Sequence, residues 1–421
     1  MNKLVVVWIC HLSNQELRNQ LSFNKWTVLA VLRRIFGRME CLDFAVWNKN
    51  AIKEFEKFDD IELHVVMPHY HISGIQEFSI NGIYYHVFET EDDNILTWLK
   101  YRFSSKIKTS YTKNSKLIKK IIDEINPDII HMIGAENPYY GESALLLPNE
   151  IPFIVTPQTL MMDPSFKNNY QLPENVYNYR SYVESLVLKR ADYIGSKVEH
   201  FRNILGNSFS YLDISLPVGE ENFDENLDKS CDKIYDFVYF AADISKAVDY
   251  AIEAFAISKE LYPFITLHVV GGYDKNYISK IRQRLKDLKI EQSVDFTGSL
   301  QTHDDVINEI KKSKFAILPL KVDLISGTIR EAMSNGIPVV TTITPATPKF
   351  NIKRESILLS EKGDFYSMSK NMCRLIADKS FAEQIRQNAL LTIKERVSNA
   401  DVMREWKDRY FEICSKKVSN Y

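Results

Sequence analysis

The chain is punctuated by short apolar runs that are continuous rather than alternating, and longer stretches of helical periodicity separate them. In the first half they are KLVVVWIC from Lys3, IELHVVMP from Ile61, IYYHVF from Ile83, DIIHMIG from Asp128 and PFIVTP from Pro152. In the second they are YDFVYFA from Tyr235, FITLHVVGG from Phe264, VDFTG from Val294, FAILPL from Phe315 and IPVVTT from Ile337. A strand that is apolar throughout is buried on both faces, as in a parallel sheet covered by helices. Segments such as KAVDYAIEAFAISKEL, from Lys246, supply those helices. The pattern predicts an α/β architecture with parallel sheets, repeated twice.

A length of 421 residues suits two domains. Periodicity breaks at DISLPVGEENFDENLDKSCDK, Asp213 to Lys233, a polar and acidic stretch. The expected division is therefore 1–212, 213–395 and a closing helix in 396–421. Apolar content of 45% and aromatic content of 12% suffice for two cores and argue against disorder. A net charge of −2 gives no whole-chain attraction to nucleic acid, so no nucleic-acid partner is expected. Cys10, Cys41, Cys231, Cys373 and Cys414 are scattered and form no CxxC, which fits a reducing compartment. No run approaches the roughly 18 apolar residues of a membrane span, and the first apolar run is too short for a secretory signal. A cytoplasmic location is expected.

The stretch DLISGTIREAMSNGIPVV, Asp323 to Val340, sets two acids and a Ser-Gly-Thr step between two strand candidates. In an open parallel sheet, ligands bind beyond the carboxyl ends of the strands. The spacing predicts a helix starting near Thr328 and stopped by Gly336. Its first-turn N–H groups suit a phosphate, Gly327 permits close backbone approach, and Ser326 or Thr328 caps the helix or donates to an oxygen. Glu331 is placed to accept hydrogen bonds from two adjacent hydroxyls, as a ribose offers. Asp323 is placed to hold hydroxyls of a sugar attached beyond the phosphates. The plainer reading of Glu331 is a carboxylate that stabilises the helix N-terminus.

Asp323, seven residues, then Glu331, Ala332, Met333, Gly336, Pro338, Val339 and Val340 resemble the signature of the retaining nucleotide-sugar glycosyltransferases of the GT-B fold, group 1 or family 4. Asp323 stands where Glu is commoner. ISKAVDYAIEAFAISKELYPFITLHVVGG resembles the family segment that carries a diphosphate lysine, here Lys246, and ends in Gly271 and Gly272. VDFTGSLQTHDDVINEIKKSKFAILPL resembles the segment whose backbone, near Phe296 to Gly298, reads the base. The resemblance implies two Rossmann-like domains with parallel sheets facing a central cleft and a C-terminal helix crossing back to the first domain. It implies a retaining hexosyltransferase that moves a sugar from a nucleotide-sugar to a hydroxyl of a glycan, the acceptor lipid-linked and the pathway cell-surface polysaccharide synthesis. Lys246, Asp323 and Glu331 would be catalytic; Gly271, Gly298, Ser326, Gly327, Thr328, Arg330 and Glu331 would hold the donor. A lysine and a helix N-terminus neutralise the departing diphosphate, so neither metal nor other cofactor is expected. The pairs Asp59-Asp60, Asp92-Asp93 and Asp304-Asp305 read as solvated loop or cap residues.

The chain departs from the family at several positions. ICHLSNQ replaces a Gly-Gly turn and makes His11 and Asn14 acceptor-side candidates; Ala241 and Ala242 lie where relatives carry an Arg near the diphosphate lysine. Ile133 replaces a second His after His131, so Glu136 becomes a cleft candidate, and Gln158 stands where a His is frequent. His131 either faces the cleft or points into the sheet. The missing Arg and His support a rival reading, a catalytically silent GT-B protein that binds glycan or partners an active transferase. Lys100 to Lys120 carries eight basic residues and no acid; it reads either as a solvated helix face or as contact with an anionic membrane surface on the inner face of the cytoplasmic membrane.

Overall fold

The computed structural model describes residues 3–23, 42–91, 110–169, 173–219, 232–241, 247–273, 275–321 and 327–418. The chain forms two compact units. The first runs to Val218 and takes in Val397–Tyr421; the second is Gly219–Arg396 with the short stretch Asn168–Gln171.

In the first unit the strands are β1 (Leu4–Ile9), β2 (Ile61–His69), β3 (Ile75–Ile80), β4 (Ile83–Glu89), β5 (Ile129–Ile133), β6 (Phe153–Thr156), β7 (Tyr193–Gly195) and β8 (Tyr211–Leu212). Their order is β3-β4-β2-β1-β5-β6-β7-β8. All pair in parallel except β3, which lies antiparallel on β4. The helices that bear on the site are α1 (Gln15–Gln20), α2 (Val46–Phe55), α3 (Thr112–Ile125) and α4 (Glu174–Arg190).

The second unit has β9 (Tyr235–Phe240), β10 (Leu267–Val270), β11 (Val294–Gly298), β12 (Ser313–Ile317), β13 (Val339–Thr342) and β14 (Leu358–Ser360), in the order β11-β10-β9-β12-β13-β14 and parallel throughout. The strands after β9 step one way and those from β12 step the other, which is the doubly wound arrangement. Its helices include α5 (Val248–Leu261), α6 (His303–Ile310) and α7 (Gly327–Ser334). α5 packs on one face with β9 and β10 residues such as Phe237 and Val269. α6 and α7 share the opposite face, where Ile310, Ile329, Ala332 and Met333 meet Val238, Phe240 and Ala316.

β12 stops short of Pro319, which has no N–H for the ladder. The hydroxyls of Thr341 and Thr342 take over beyond it: each donates to a carbonyl, Leu318 and Leu320, and Leu320 N–H donates to Thr342 Oγ1 at 2.8 Å. α7 ends where the glycine predicts. Gly336 (φ +62) donates to Met333 O and Ile337 to Ala332 O, the paired bonds of a Schellman stop.

The last helix, α8 (Asn399–Val418), belongs to the first unit. Val402, Met403, Trp406, Tyr410 and Ile413 repeat at helical spacing and join the core formed by β1, β2 and α2. Tyr410 stands at the centre of a buried polar knot. Trp8 Nε1–H donates to its hydroxyl at 3.0 Å, and that hydroxyl lies 2.5 Å from His131 Nδ1. An indole N–H can only donate, so the Tyr410 proton goes to His131 Nδ1. His131 Nε2–H then donates to Thr156 Oγ1 at 2.6 Å. Burial pushes His131 down to about 3, which keeps the ring neutral as this chain of bonds requires. His131 thus points into the packing, and the Trp8–Tyr410 bond ties β1 to α8.

Replacing Tyr410 with Phe strands the Trp8 N–H and the His131 Nδ1 lone pair in the core. We expect a loss of about 1–3 kcal/mol, and a larger loss for Trp406→Ala, about 3–5 kcal/mol. Urea unfolding followed by tryptophan fluorescence measures both.

Candidate active site

The order of the parallel strands reverses between β1 and β5 in the first unit and between β9 and β12 in the second. The loops that leave the carboxyl ends of these neighbours are where doubly wound folds bind ligands.

In the first unit His11 follows β1 and Glu136 follows β5. The His11 ring lies among Phe44, Tyr139 and Tyr140, with centroids 5.5, 6.0 and 5.7 Å away. Burial, and then the Arg180 charge, push His11 down to about 4, so it is a neutral imidazole at ordinary pH. Asn137 links the two loops: its Nδ2 approaches His11 Nδ1 at 3.5 Å and donates to Glu136 Oε1 and the Tyr140 hydroxyl, each at 3.1 Å. The Tyr140 hydroxyl donates to Ile133 O at 2.8 Å. Gly134 is required here: its φ is +92, and a Cβ would stand 2.6 Å from the Tyr140 hydroxyl and 2.9 Å from Glu136 Oε1.

Glu136 is 6% exposed, and its Oε2 has no hydrogen-bonding partner. Burial raises its pKa, while its own amide, the Arg180 charge and the amides of Gln158 and Ala135 pull the other way. Gln158, in the loop after β6, is therefore brought beside Glu136. Asn14 does something else: its Oδ1 accepts from Leu17 N–H at 2.8 Å and caps α1.

Sequence reasoning missed the scaffold behind these loops. Arg180 and Glu184 lie one turn apart on α4. Arg180 donates to Glu136 O at 3.0 Å and reaches Asn137 Oδ1 at 3.4 Å. Glu184, fully buried, accepts from the amides of Met161 and Met162 at 2.9 Å each and so holds the loop that carries Gln158. An i, i+4 Arg/Glu pair usually signals a solvated ion pair; here each partner turns to a different loop.

In the second unit Lys246, Asp323 and Ser326 lie outside the described residues. Gly327 opens α7, followed by Thr328. Glu331 is the fifth residue of the helix rather than part of its first turn, so a purely dipolar role is weaker than the sequence reading allowed. Its Oε1 lies 3.4 Å from Nε2 of His303, the first residue of α6, and the side chains are 12% and 20% exposed. Arg330 spreads over the Phe350 ring at 5.7 Å. Gly271 and Gly298 bridge one another at the ends of β10 and β11, and Gly271 N–H donates to Thr297 Oγ1 at 3.2 Å. Lys321, not singled out from sequence, stands just past β12, where its ammonium meets Asp249 at 2.9 Å and the Tyr250 ring at 5.1 Å. Asp304 and Asp305 start α6, Asp305 forming a capping box with Thr302. Among the described residues no group of three or more His, Cys, Asp or Glu side chains is arranged to hold a metal ion.

The comparisons with known proteins meet this geometry. Residues 220–391 match the model of the glycosyl transferases group 1, and residues 57–197 match that of the glycosyl transferase 4-like proteins. Sucrose-phosphate synthase from Thermosynechococcus elongatus is 16% identical, with a TM-score of 0.69 over 98% of this chain and 100% of that one. Anabaena HepE in complex with UDP is 13% identical, with a TM-score of 0.60 over 98% and 100%. WaaG, a glycosyltransferase involved in lipopolysaccharide biosynthesis, is 12% identical, with a TM-score of 0.57 over 94% and 98%. No curated protein matches the chain. The two family matches together reach over most of the sequence, and the chain belongs to the group 1 glycosyltransferases of the GT-B fold, which transfer a sugar from a nucleotide-sugar donor.

Burial raises Glu184 from an ordinary 4.5 to about 8. Ionising it costs more in the folded unit than in the unfolded chain, so its contribution to stability is complete below pH 4.5 and is lost as pH rises toward 8. Wild type should therefore lose stability relative to Glu184→Gln between pH 5 and pH 8, by on the order of 2–4 kcal/mol. Urea midpoints of the two proteins at both pH values give the difference.

Proposed function

We propose that the chain is a retaining hexosyltransferase that adds a sugar to a hydroxyl of a lipid-linked glycan in cell-surface polysaccharide synthesis. The observation that carries the reading is the placement of Glu331: it sits on the helix that leaves β12, beside β9, where the second sheet reverses. In this reading Glu331 accepts from two hydroxyls of the donor ribose, and Asp323 holds the transferred sugar. Lys246, Arg330, Ser326 and the first-turn amides at Gly327 and Thr328 meet the diphosphate. Gly271 and Gly298 line the base end. No step is assigned to a metal or other cofactor. His11, Glu136 and Gln158 form the acceptor side, with Asn137 joining His11 to Glu136. Asn14 supports that side by capping α1.

A panel of UDP-, GDP- and ADP-sugars, followed by NMR of the product anomer, tests the reading. Turnover with retention supports it; nucleotide binding without turnover favours the silent, glycan-binding alternative. Glu331→Ala should weaken binding of the preferred nucleoside diphosphate by roughly 1.5–3 kcal/mol, read by calorimetry; unchanged affinity in the folded variant removes Glu331 from the donor site.

A location at the cytoplasmic face of an anionic membrane rests on α3. Of its lysines, Lys119 and Lys120 are paired one turn on with Asp123 and Glu124, at 2.5 and 3.5 Å, while Lys113 and Lys116 are exposed. The rest of the basic stretch, 100–109, lies outside the described residues. Among the described residues no helix is long and apolar enough to cross a membrane. Each unpaired lysine near an anionic leaflet contributes roughly 1 kcal/mol. Sedimentation with phosphatidylserine vesicles should show binding that falls with salt and weakens in Lys113→Gln/Lys116→Gln; protein left in the supernatant at low salt overturns the membrane reading.

A further inference from the structure

β2 and β4 lie side by side, and β3 runs back along β4. Alternation puts Glu62 and His64 on one face of β2, and there the three strands assemble a line of four titratable side chains. Glu77 Oε1 lies 2.7 Å from His86 Nδ1, His86 Nε2 lies 2.9 Å from His64 Nδ1, and His64 Nε2 lies 3.1 Å from Glu62 Oε1. The two imidazole side chains are only 11% and 13% exposed, so water does little to satisfy them. Their rings are nearly parallel, and the Tyr84 ring stacks on His64 at 4.8 Å. On the other flank of His64, β1 presents the buried Val7. α3, which packs on β2, has Lys119 and Lys120 paired with its own Asp123 and Glu124, and its Lys113 and Lys116 are exposed. The charges that act on His64 are those of Glu62 and His86.

The line has a definite proton count. An ionised carboxylate only accepts, so both outer nitrogens, His86 Nδ1 and His64 Nε2, carry hydrogen. A neutral imidazole has one N–H. Two neutral rings would spend both protons outward and set two bare lone pairs against each other across 2.9 Å. Turning either proton inward leaves a bare nitrogen facing a carboxylate. Two imidazolium rings fail in the opposite sense, with N–H against N–H and charge against charge. All three contacts are hydrogen bonds only when the pair holds one proton beyond neutrality. Burial also resists a second charge: it holds His64 below the ordinary imidazole range, the bond to Glu62 opposes that, and the charge of His86 adds to it.

We propose that His64 and His86 share a single proton that latches the edge strands β3 and β4 to the body of the first sheet, and that the latch opens when that proton is lost or a second is added. The inference does not depend on the assignment of donor or acceptor residues. Its sign follows from linkage, with histidines of the unfolded chain titrating near about 6.5. A folded pair that keeps one proton above that pH loses stability as pH rises. A folded pair that refuses the second proton below it loses stability as pH falls. The cluster's contribution therefore passes through a maximum. Two independent histidine–carboxylate pairs would instead give a contribution that only grows as pH falls.

The test is NMR of the protein labelled with ¹⁵N-histidine, titrated from about pH 4 to about pH 9, with urea midpoints measured over the same range. The His64 and His86 signals are assigned by their loss in His64→Gln and His86→Gln. In the wild type the pair should titrate in two steps more than about one pH unit apart, as strongly interacting sites do, and should carry three N–H groups between the steps. His86→Gln keeps an amide within reach of His64 without needing the shared proton. The urea midpoint of the wild type minus that of His86→Gln should therefore peak between the two steps and fall on either side. Circular dichroism checks that the variant is folded; if it is not, Glu77→Gln on the exposed β3 position replaces it. The amide of that variant can donate to His86 Nδ1, so the His86 proton should move to Nε2 and the three-proton interval should vanish. One undivided step for both wild-type rings, or a three-proton interval that survives in Glu77→Gln, overturns the shared proton. Two steps with a midpoint difference that rises steadily as pH falls overturn the latch.

Discussion

Parallel strands cannot be joined by tight turns, so connections between the parallel strands of these sheets must cross a face, the antiparallel β3–β4 hairpin aside. Where strand order reverses, two neighbouring strands send their chains to opposite faces and a crevice opens between them. The second unit shows this directly: the chain leaving β9 forms α5 on one face, and the chain leaving β12 forms α7 on the other. The same reversal in the first unit sets the loop of His11 beside the loop of Glu136. The side chains offered for chemistry are thus gathered by a topological constraint. The constraint is enforced by strands apolar enough to be buried on both faces, such as β1, in which Val6, Val7, Trp8 and Ile9 are all buried.

Two histidines of the first unit show how burial divides otherwise similar residues. Both are held neutral by burial, at about 3 for His131 and about 4 for His11. His131 has both ring nitrogens engaged, by Tyr410 and Thr156, so it holds β5, β6 and α8 together and has no nitrogen left for a ligand. His11 is packed against the rings of Phe44 and Tyr140, with Nδ1 facing Asn137. Sequence alone could not separate them, because each is a lone histidine beside an apolar run; the difference lies in which partners the fold brings from more than a hundred residues away.

Much of the architecture was legible. The apolar runs mark β1, β2, β4, β5, β6 and β9 to β13, and the Asn-Gly stop of α7 falls at Gly336. β3 escaped because it is an edge strand whose residues alternate between exposed and half-buried. β7, β8 and β14 are too short to show a period. The reach of the first unit to Val218 was hidden for another reason. Its stretch is polar and aperiodic, yet Asn50 and Asn399 both donate to Val218 O, and Val218 N–H donates to Asn399 Oδ1. Side-chain amides hold an irregular segment that no hydrophobic pattern announces. The same limit hid Arg180 and Glu184, whose contacts with Glu136 and Met161 span 44 and 23 residues.

The two switch points differ in electrostatic character, and the difference follows from burial. In the first unit His11 is driven toward neutrality and Glu136 toward its protonated form. Arg180, always charged, directs its guanidinium to the Glu136 carbonyl and the Asn137 amide oxygen. What this end of the sheet presents is a set of dipoles and ring faces with little mobile charge. In the second unit Lys321 and Asp249 are paired, and Glu331 faces His303 while keeping some exposure. Among the described residues there, Lys321 and Asp249 form an ion pair at 2.9 Å. A neutral hydroxyl is matched by oriented dipoles, whereas a diphosphate and a ribose diol are matched by charge held at fixed positions. In the proposed reading, a neutral acceptor at the first unit and an anionic donor at the second would each meet side chains of matching character.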